Sequence, residues 1–309
     1  MRVLFMGTPE FAVPCLKRLI DMNLNIVGVY TQPDKPKGRG YQLAPTPVKE
    51  VALQHNIRVF QPNSLKNDEE IANVKSLNPD IIIVVAYGKI LPKALLDIPR
   101  LGCVNVHASL LPKYRGAGPI QWSVINGEKE TGVTTMFMAE GLDTGDMILK
   151  RSTEISIEET SGELHDRLSV LGADCLEDTM KLFLAGEDIP RTVQNDAESC
   201  YAPMLDKSLC ALNFTKTAKE LHNLVRGLSP WPVATTVLDG KVLKVHKTRV
   251  SEYKASNPGK IEVVEGRLFV HCSDYLLEFL QVQLEGKKSM SAKDFLMGHK
   301  ISENTILGK

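Results

Sequence analysis

Residues 1–31, MRVLFMGTPEFAVPCLKRLIDMNLNIVGVYT, decide the fold class. Arg2 to Met6 read as a strand that breaks at Gly7. Thr8 then stands where a helix N-cap would, with Pro9 at the first helical position, and the helix runs to about Met22. Asn25 to Thr31 read as the next strand, and a strand, a crossing helix and a strand make the repeating unit of a parallel sheet. The pattern continues outward. Pro47 to Asn56 reads as a helix, and Asp80 to Ala86 is the continuous apolar run expected of a strand buried on both faces. Cys103 to His107 and Thr131 to Met138 extend the sheet, and a long helix begins after Thr160 and Ser161 and reaches about Ala185. The expected architecture is α/β, a mostly parallel sheet with helices on both faces.

From Gly186 to Lys207 the chain becomes polar and aperiodic, as a linker would be. Thr215 to Leu228 looks helical and stops at Ser229-Pro230-Trp231-Pro232. Five short β-rich runs follow: Val233 to Leu238, Lys241 to Val250, Lys260 to Val264, Leu268 to Cys272 and Leu276 to Gln283. Short strands separated by turn signals suggest a small β-barrel, with the OB type a candidate. The expected domains are therefore 1–188, a linker over 189–207, and 208–309. A length of 309 residues also exceeds what one core usually organises.

With 43% hydrophobic and 24% charged residues the chain is expected to fold as a soluble globular protein. No apolar run approaches the roughly 20 residues of a membrane-spanning helix, the longest being Ile81 to Tyr87. Pro9 and Glu10 come too early for a signal peptide, so a cytoplasmic location is expected. Six scattered cysteines form no CxxC pair and have no histidine at metal spacing, which argues against a zinc site and a disulfide framework. The 37 basic and 37 acidic residues balance, but 15 and 10 of them fall in 208–309, leaving 22 and 27 in 1–207. The C-terminal third is thus basic, a charge suited to a polyanionic partner.

MGTPEFAVP supplies one glycine where a dinucleotide fingerprint needs three, which speaks against a nicotinamide or flavin enzyme. No phosphate-binding P-loop, zinc-protease helix or nucleophile elbow is present either. Three segments stand out instead. In VNVHASLLPKYRGAGPIQW (104–122), Asn105 and His107 share one face at the end of an apolar strand. Two polar side chains there need partners or a cleft, so they are either a satisfied core pair or a catalytic pair. In GLDTGDMI (141–148), Asp143 and Asp146 sit among glycines, in an ordinary acidic turn or at a cleft. In TQPDKPKGRG (31–40), Lys35, Lys37 and Arg39 lie among prolines and glycines, which predicts a projecting mobile loop able to meet phosphates.

NVHASLLPKYRGAGPIQW followed by TGVTTMFMAEGLDTGDMI resembles the signature of formyltransferases that use 10-formyltetrahydrofolate. The loop TQPDKPKGRG, the run VVAYGKILP (84–92) and VRGLSPWPVATT (225–236) extend the resemblance over the whole chain. They point to the branch of that family whose acceptor is the α-amino group of methionine carried by initiator tRNA. The resemblance implies a Rossmann-like N-terminal domain, a linker and an OB-like barrel that binds tRNA. It implies Asn105, His107 and Asp143 as catalytic residues, with folate contacts at Ser109, Leu110, Leu111 and Pro112. The pterin is expected against the backbone of Val84, Ala86, Tyr87 and Gly88, and tRNA against Lys35, Lys37 and Arg39. No metal is implied, and a monomer is expected. A folate-dependent enzyme acting on a small amine would share the chemistry but has little use for the basic loop and barrel. A non-catalytic RNA-binding protein would leave Asn105 and His107 unexplained.

Overall fold

The computed structural model describes residues 1–37, 42–302 and 305–308, with the backbone alone at positions 37 and 42. Two compact units emerge. One comprises Met1–Gly116, Thr131–Thr153 and His165–Ala202, and the other Ala117–Glu130, Glu154–Leu164 and Pro203–Lys309.

The strands running through the first unit are β1 (Arg2–Gly7), β2 (Asn25–Tyr30), β3 (Lys35–Lys37), β4 (Gln42–Ala44), β5 (Val59–Phe60), β6 (Ile81–Val85), β7 (Cys103–His107), β8 (Glu130–Phe137) and β9 (Met147–Glu154). Helices up to this point are α1 (Val13–Asp21), α2 (Pro47–Gln54), α3 (Asp68–Leu77), α4 (Lys93–Leu96), α5 (Pro119–Ile125) and α6 (Ser161–Ala185). Seven strands form one sheet in the order β5-β2-β1-β6-β7-β8-β9. Pairing is parallel from β5 through β7 and turns antiparallel between β7 and β8. Leu4, Met6, Ile82, Val84 and Cys103 pack on one face with Val74 of α3 and Leu95 of α4. On the other face Gly172 of α6 lies against Val106, where an added Cβ would sit 3.2 Å from its methyl. Helices thus cover both faces, and every residue of β6 is buried, as its unbroken apolar run requires.

Three local expectations change. Thr8 caps no helix, because a short 3-10 turn over Glu10–Ala12 comes first. Its hydroxyl instead donates to the Tyr87 carbonyl at 3.0 Å and accepts from the Gln32 amide at 3.3 Å, tying together the ends of β1, β2 and β6. Residues 35–37, expected in an irregular loop, pair with 42–44 as a two-stranded antiparallel ribbon. A ribbon off the main sheet leaves an edge for the missing Pro36 N–H, so proline is tolerated there. The strand β9, which no sequence signal had singled out, completes the sheet edge.

The second unit contains α7 (Ala218–Gly227), β10 (Ala234–Leu238), β11 (Lys241–Lys254), β12 (Ile261–Val264), β13 (Arg267–His271), β14 (Tyr275–Leu284), β15 (Met290–Ser291) and α8 (Ala292–Gly298). Its antiparallel sheet runs β10-β11-β14-β13-β12, with β15 on β14. Residues 305–308 join the two ends of that path: Ile261 N–H donates to Thr305 at 3.0 Å, Leu307 N–H to Gly259 at 2.8 Å, and Gly308 N–H to Val237 at 3.0 Å. The five expected strands are all present, and a terminal segment closes them into a barrel-like ring. Trp122 and Ile125 of α5 pack on this unit's core. Arg226, 5% exposed, donates to the carbonyls of Val124, Ser156 and Glu159. The segments 117–130 and 154–164 therefore group with residues far along the chain.

Candidate active site

Order reverses about β1, whose neighbours β2 and β6 lead away in opposite directions, and such a switch opens a crevice beyond the carboxyl ends of the strands. The loop after β6 lies at that end. Ala86 and Gly88 are exposed there with positive φ (45° and 80°), while the Tyr87 side chain is buried in the core. The Tyr87 carbonyl is occupied by Thr8 and by the Gln32 amide, which donates at 3.1 Å. Val84 is 5% exposed. Of the four residues expected against a pterin, Ala86 and Gly88 present accessible backbone, and Val84 and Tyr87 shape the wall from within.

At the end of the next strand, Asn105 is the one residue of β7 that is not buried. Among the described residues its side-chain amide has no hydrogen-bond partner, so both donors are available to a ligand. His107 shares that face and is 6% exposed. Its Nε2 lies 2.9 Å from the Tyr114 carbonyl, which can only accept, so Nε2 carries the proton and Nδ1 is the nitrogen free to gain or lose one. Nδ1 lies 3.7 Å from the Asp143 carboxylate. This is too long for a hydrogen bond, yet close enough for the carboxylate to counter a charge that forms on the ring. The ring is therefore oriented by the Tyr114 carbonyl, and the role of fixing it does not fall to Asp143.

Asp143 reaches His107 because its loop is sharply folded. Phe137 N–H donates to the Asp146 carbonyl at 2.9 Å, closing the loop at its base. Asp143 itself has φ of 52°, a conformation that aspartate tolerates better than most residues. Gly145 is required: a Cβ there would lie 1.8 Å from the Phe137 carbonyl oxygen. The carboxylate is held by the Gly116 N–H at 2.9 Å. A Cβ at Gly116, whose φ is 115°, would meet the Ala202 carbonyl at 2.7 Å. Asp146, also considered from its sequence setting, instead lies 3.6 Å from Arg191.

The segment after His107 divides by exposure. Ser109 is fully buried and donates to the Lys113 carbonyl at 2.6 Å, and Leu111 packs with Met136 and Met147. Leu110 and Pro112 are partly exposed. Thr134, buried in β8, donates to the Ser109 carbonyl at 2.7 Å and accepts from Leu111 N–H at 3.2 Å. Leu110 and Pro112 thus keep accessible surface, while Ser109 and Leu111 set the loop's shape from within.

Of the basic loop, Lys35 is exposed on β3, whereas Arg39 and the side chain of Lys37 lie outside the described residues. The stem is fastened beneath: Lys49 donates to Asp34 at 2.6 Å and to Gln61 at 2.8 Å, and the Thr31 and Thr46 hydroxyls meet at 2.7 Å. Gln61 Nε2 also donates to Asp34 at 2.6 Å, and the bonds from Lys49 and Gln61 hold the Asp34 carboxyl below the usual carboxylate range, the Lys49 bond contributing most and Gln61 next.

Two further findings bear on the chemistry. Burial, with a smaller effect from Asp97, pushes the Cys103 thiol up to about 12, so no thiolate is available at neutral pH although Cys103 stands two residues from Asn105. Among the described residues no three His, Cys, Asp or Glu side chains gather as a metal site would need. Sequence reasoning passed over Tyr114, Thr134, Arg115 and Gln194, all of which shape this site. Only the Thr134-Thr135 pair inside an apolar strand carried a visible signal.

Residues 1–180 match the formyl transferase family, and residues 204–300 match the formyl transferase C-terminal domain. The methionyl-tRNA formyltransferase of Alkaliphilus oremlandii (strain OhILAs) is 52% identical over 311 residues, covering all of both chains. That of Clostridioides difficile (strain 630) is 51% identical over 312 residues, again covering both completely. Among solved structures, an N-formyltransferase from Helicobacter canadensis in complex with folinic acid and dTDP-3-aminofucose shares the fold (TM-score 0.67, 19% identity, 90% of this chain and 98% of that one). HypX from Aquifex aeolicus in complex with tetrahydrofolic acid also shares it (TM-score 0.63, 16% identity, 96% of this chain and 47% of that one). With both parts of its length matched and full-length relatives sharing half its residues, this chain belongs to the formyl transferase family.

Proposed function

We propose that this enzyme transfers the formyl group of 10-formyltetrahydrofolate to the α-amino group of methionine carried by initiator tRNA. The observation that carries this reading is the full-length identity of about one half with proteins named methionyl-tRNA formyltransferase, spanning both compact units.

In the reaction the neutral amine attacks the formyl carbon, a C–N bond forms, and negative charge develops on the formyl oxygen. The bond from the formyl carbon to the folate nitrogen then breaks, and the proton lost by the attacking amine ends on that nitrogen. Asn105 donates to the developing oxyanion without changing its own protonation state, an effect worth about 3 kcal/mol for one well-aimed donor. His107 Nδ1 moves the proton or stabilises the charge, with the Asp143 carboxylate opposite. Leu110 and Pro112 border the folate, and its pterin lies along the backbone of Ala86 and Gly88.

The first unit carries this chemistry, and residues 208–309, with which 117–130 and 154–164 group, hold the tRNA. Lys35, with Lys37 and Arg39, contacts phosphates from the first unit. On the second unit, exposed Lys241, Lys244, Lys247 and Arg249 along β11 supply a basic stripe. A monomer is part of this reading, and substrates of this kind support a cytoplasmic location.

The test is transfer of labelled formyl from 10-formyltetrahydrofolate to methionyl initiator tRNA, beside uncharged tRNA, free methionine and an amino-sugar nucleotide. Label on the charged tRNA alone is expected. Label on the sugar nucleotide would keep the chemistry and overturn the acceptor.

A further inference from the structure

Resting on the reaction just assigned, we propose that Gln194 is a positioning residue for formyl transfer, setting the orientation of the Asp143 carboxylate toward His107. Gln194 lies in the polar stretch 189–207, yet it is 8% exposed and every hydrogen-bonding group of its amide is engaged. Nε2 donates to the Asp143 carbonyl and to the Gly145 carbonyl, both at 2.8 Å. Oε1 accepts from Arg115 Nε at 3.0 Å. The amide cannot be turned over, because its oxygen would then face two carbonyls and its nitrogen the Arg115 N–H.

The two loops joined by this amide are those that hold the catalytic pair. On one side are the main chain of Asp143 and the obligatory glycine behind it. On the other is Arg115, beside Gly116 whose N–H binds the Asp143 carboxylate. The same stretch holds the second loop along its backbone: Arg115 N–H donates to the Cys200 carbonyl at 2.9 Å, and Ala202 N–H to the Arg115 carbonyl at 2.7 Å. Thr192 and Met147 exchange two backbone bonds of 2.9 Å, which anchors the approach to Gln194. Asp143 is thus gripped at its main chain by Gln194 and at its side chain by Gly116, and Gln194 fixes the distance between the two grips. No isosteric side chain repeats this: Glu places an acceptor against two carbonyls, and Met leaves both without a donor.

The experiment compares Gln194→Glu and Gln194→Met with the unsubstituted full chain in single-turnover formyl transfer, with melting temperature and folate affinity measured alongside. Both variants are expected to lose about tenfold to a hundredfold in kcat, the scale of a displaced catalytic group, with KM for 10-formyltetrahydrofolate within twofold. In an Asp143→Ala background the same substitutions should lower kcat no further, since no carboxylate remains to be oriented. The nitrogen-15 spectrum of His107 is expected to shift in Gln194→Glu, a readout independent of any acceptor. Unchanged kcat, an equal loss in the Asp143→Ala background, or an unchanged His107 spectrum would each overturn the proposal. Failure of the unsubstituted chain to formylate methionyl-tRNA would count against the function alone, and the His107 spectrum would still decide the role of Gln194.

Discussion

Gly145→Ala should disable the site while leaving the fold standing. The added Cβ would lie 1.8 Å from the Phe137 carbonyl oxygen and 2.9 Å from its carbon, both backbone atoms of the sheet. Reaching an ordinary contact of 3.4 Å requires the loop to move by about 1.6 Å. That loop carries Asp143, held 3.7 Å from His107. A misplacement of about 1 Å costs on the order of a hundredfold in rate, and overpacking costs about 1–3 kcal/mol of stability, so the loss of rate exceeds any loss of folded protein. Single-turnover transfer with pre-bound donor reads the chemical step, and a denaturation midpoint reads the fold. Gly298→Ala is the control, because its Cβ would meet nothing within 4 Å. A Gly145→Ala enzyme within threefold of the normal rate would show that this loop's position does not matter to the reaction.

Other predictions follow from the same geometry. Lys35→Ala should raise KM for the tRNA and reduce the salt slope of tRNA binding by about 1 while leaving folate affinity alone, as titrations at several salt concentrations would reveal. Arg226→Met should cost about 2 kcal/mol, read in urea unfolding, because the buried Val124 carbonyl and the partly buried bonds to the Ser156 and Glu159 carbonyls lose their donor; a midpoint equal to that of the unsubstituted chain would contradict it. His222 bears on pH. Burial lowers its folded pKa, opposed by its bond to the Ile157 carbonyl and by Glu158, with Arg226 lowering it further. The unfolded chain therefore takes up a proton first as pH falls below about 6.5, so stability present above that value declines on acidification. His222→Gln should flatten the fall in unfolding midpoint between pH 7 and the acid side, and an unaltered pH slope would assign the acid sensitivity elsewhere. Removing residues 305–309 should open the ring at β10 and β12 and uncover the core against which Leu307, 4% exposed, now packs, detectable as faster amide exchange in both strands.

What was legible in the sequence divides along physical lines. The strands β6 and β7 and the strands β10 to β14 of the second unit are local patterns of apolar residues, and such patterns are what a sequence displays directly. Asn105 and His107 were visible because polar residues two apart on an apolar strand demand an explanation. Their approach to Asp143 was not visible, since it depends on where Gly145 and Gly116 let two loops come together across 27 residues of chain. Thr8 illustrates a different limit: a hydroxyl at a strand end can cap a helix or bind a neighbouring strand, and only the Tyr87 carbonyl decides between them. Residues 117–130 read as part of the sheet domain because nothing local marks the packing of Trp122 and Ile125 on a core nearly a hundred residues away. Gln194 was hidden in a stretch without periodicity, where composition suggests a linker and tertiary hydrogen bonds make a brace.

The central claim is that the transition state is stabilised from the end of β7. Asn105 is the side chain there whose amide donors are uncommitted among the described residues. The most direct measurement is therefore the single-turnover rate of formyl transfer to methionyl initiator tRNA by Asn105→Ala, with 10-formyltetrahydrofolate affinity measured on the same preparation. A fall of about a hundredfold to a thousandfold in rate with folate affinity within twofold is the predicted result. A normal rate, or a loss of folate affinity that accounts for the whole decrease, would contradict the assignment.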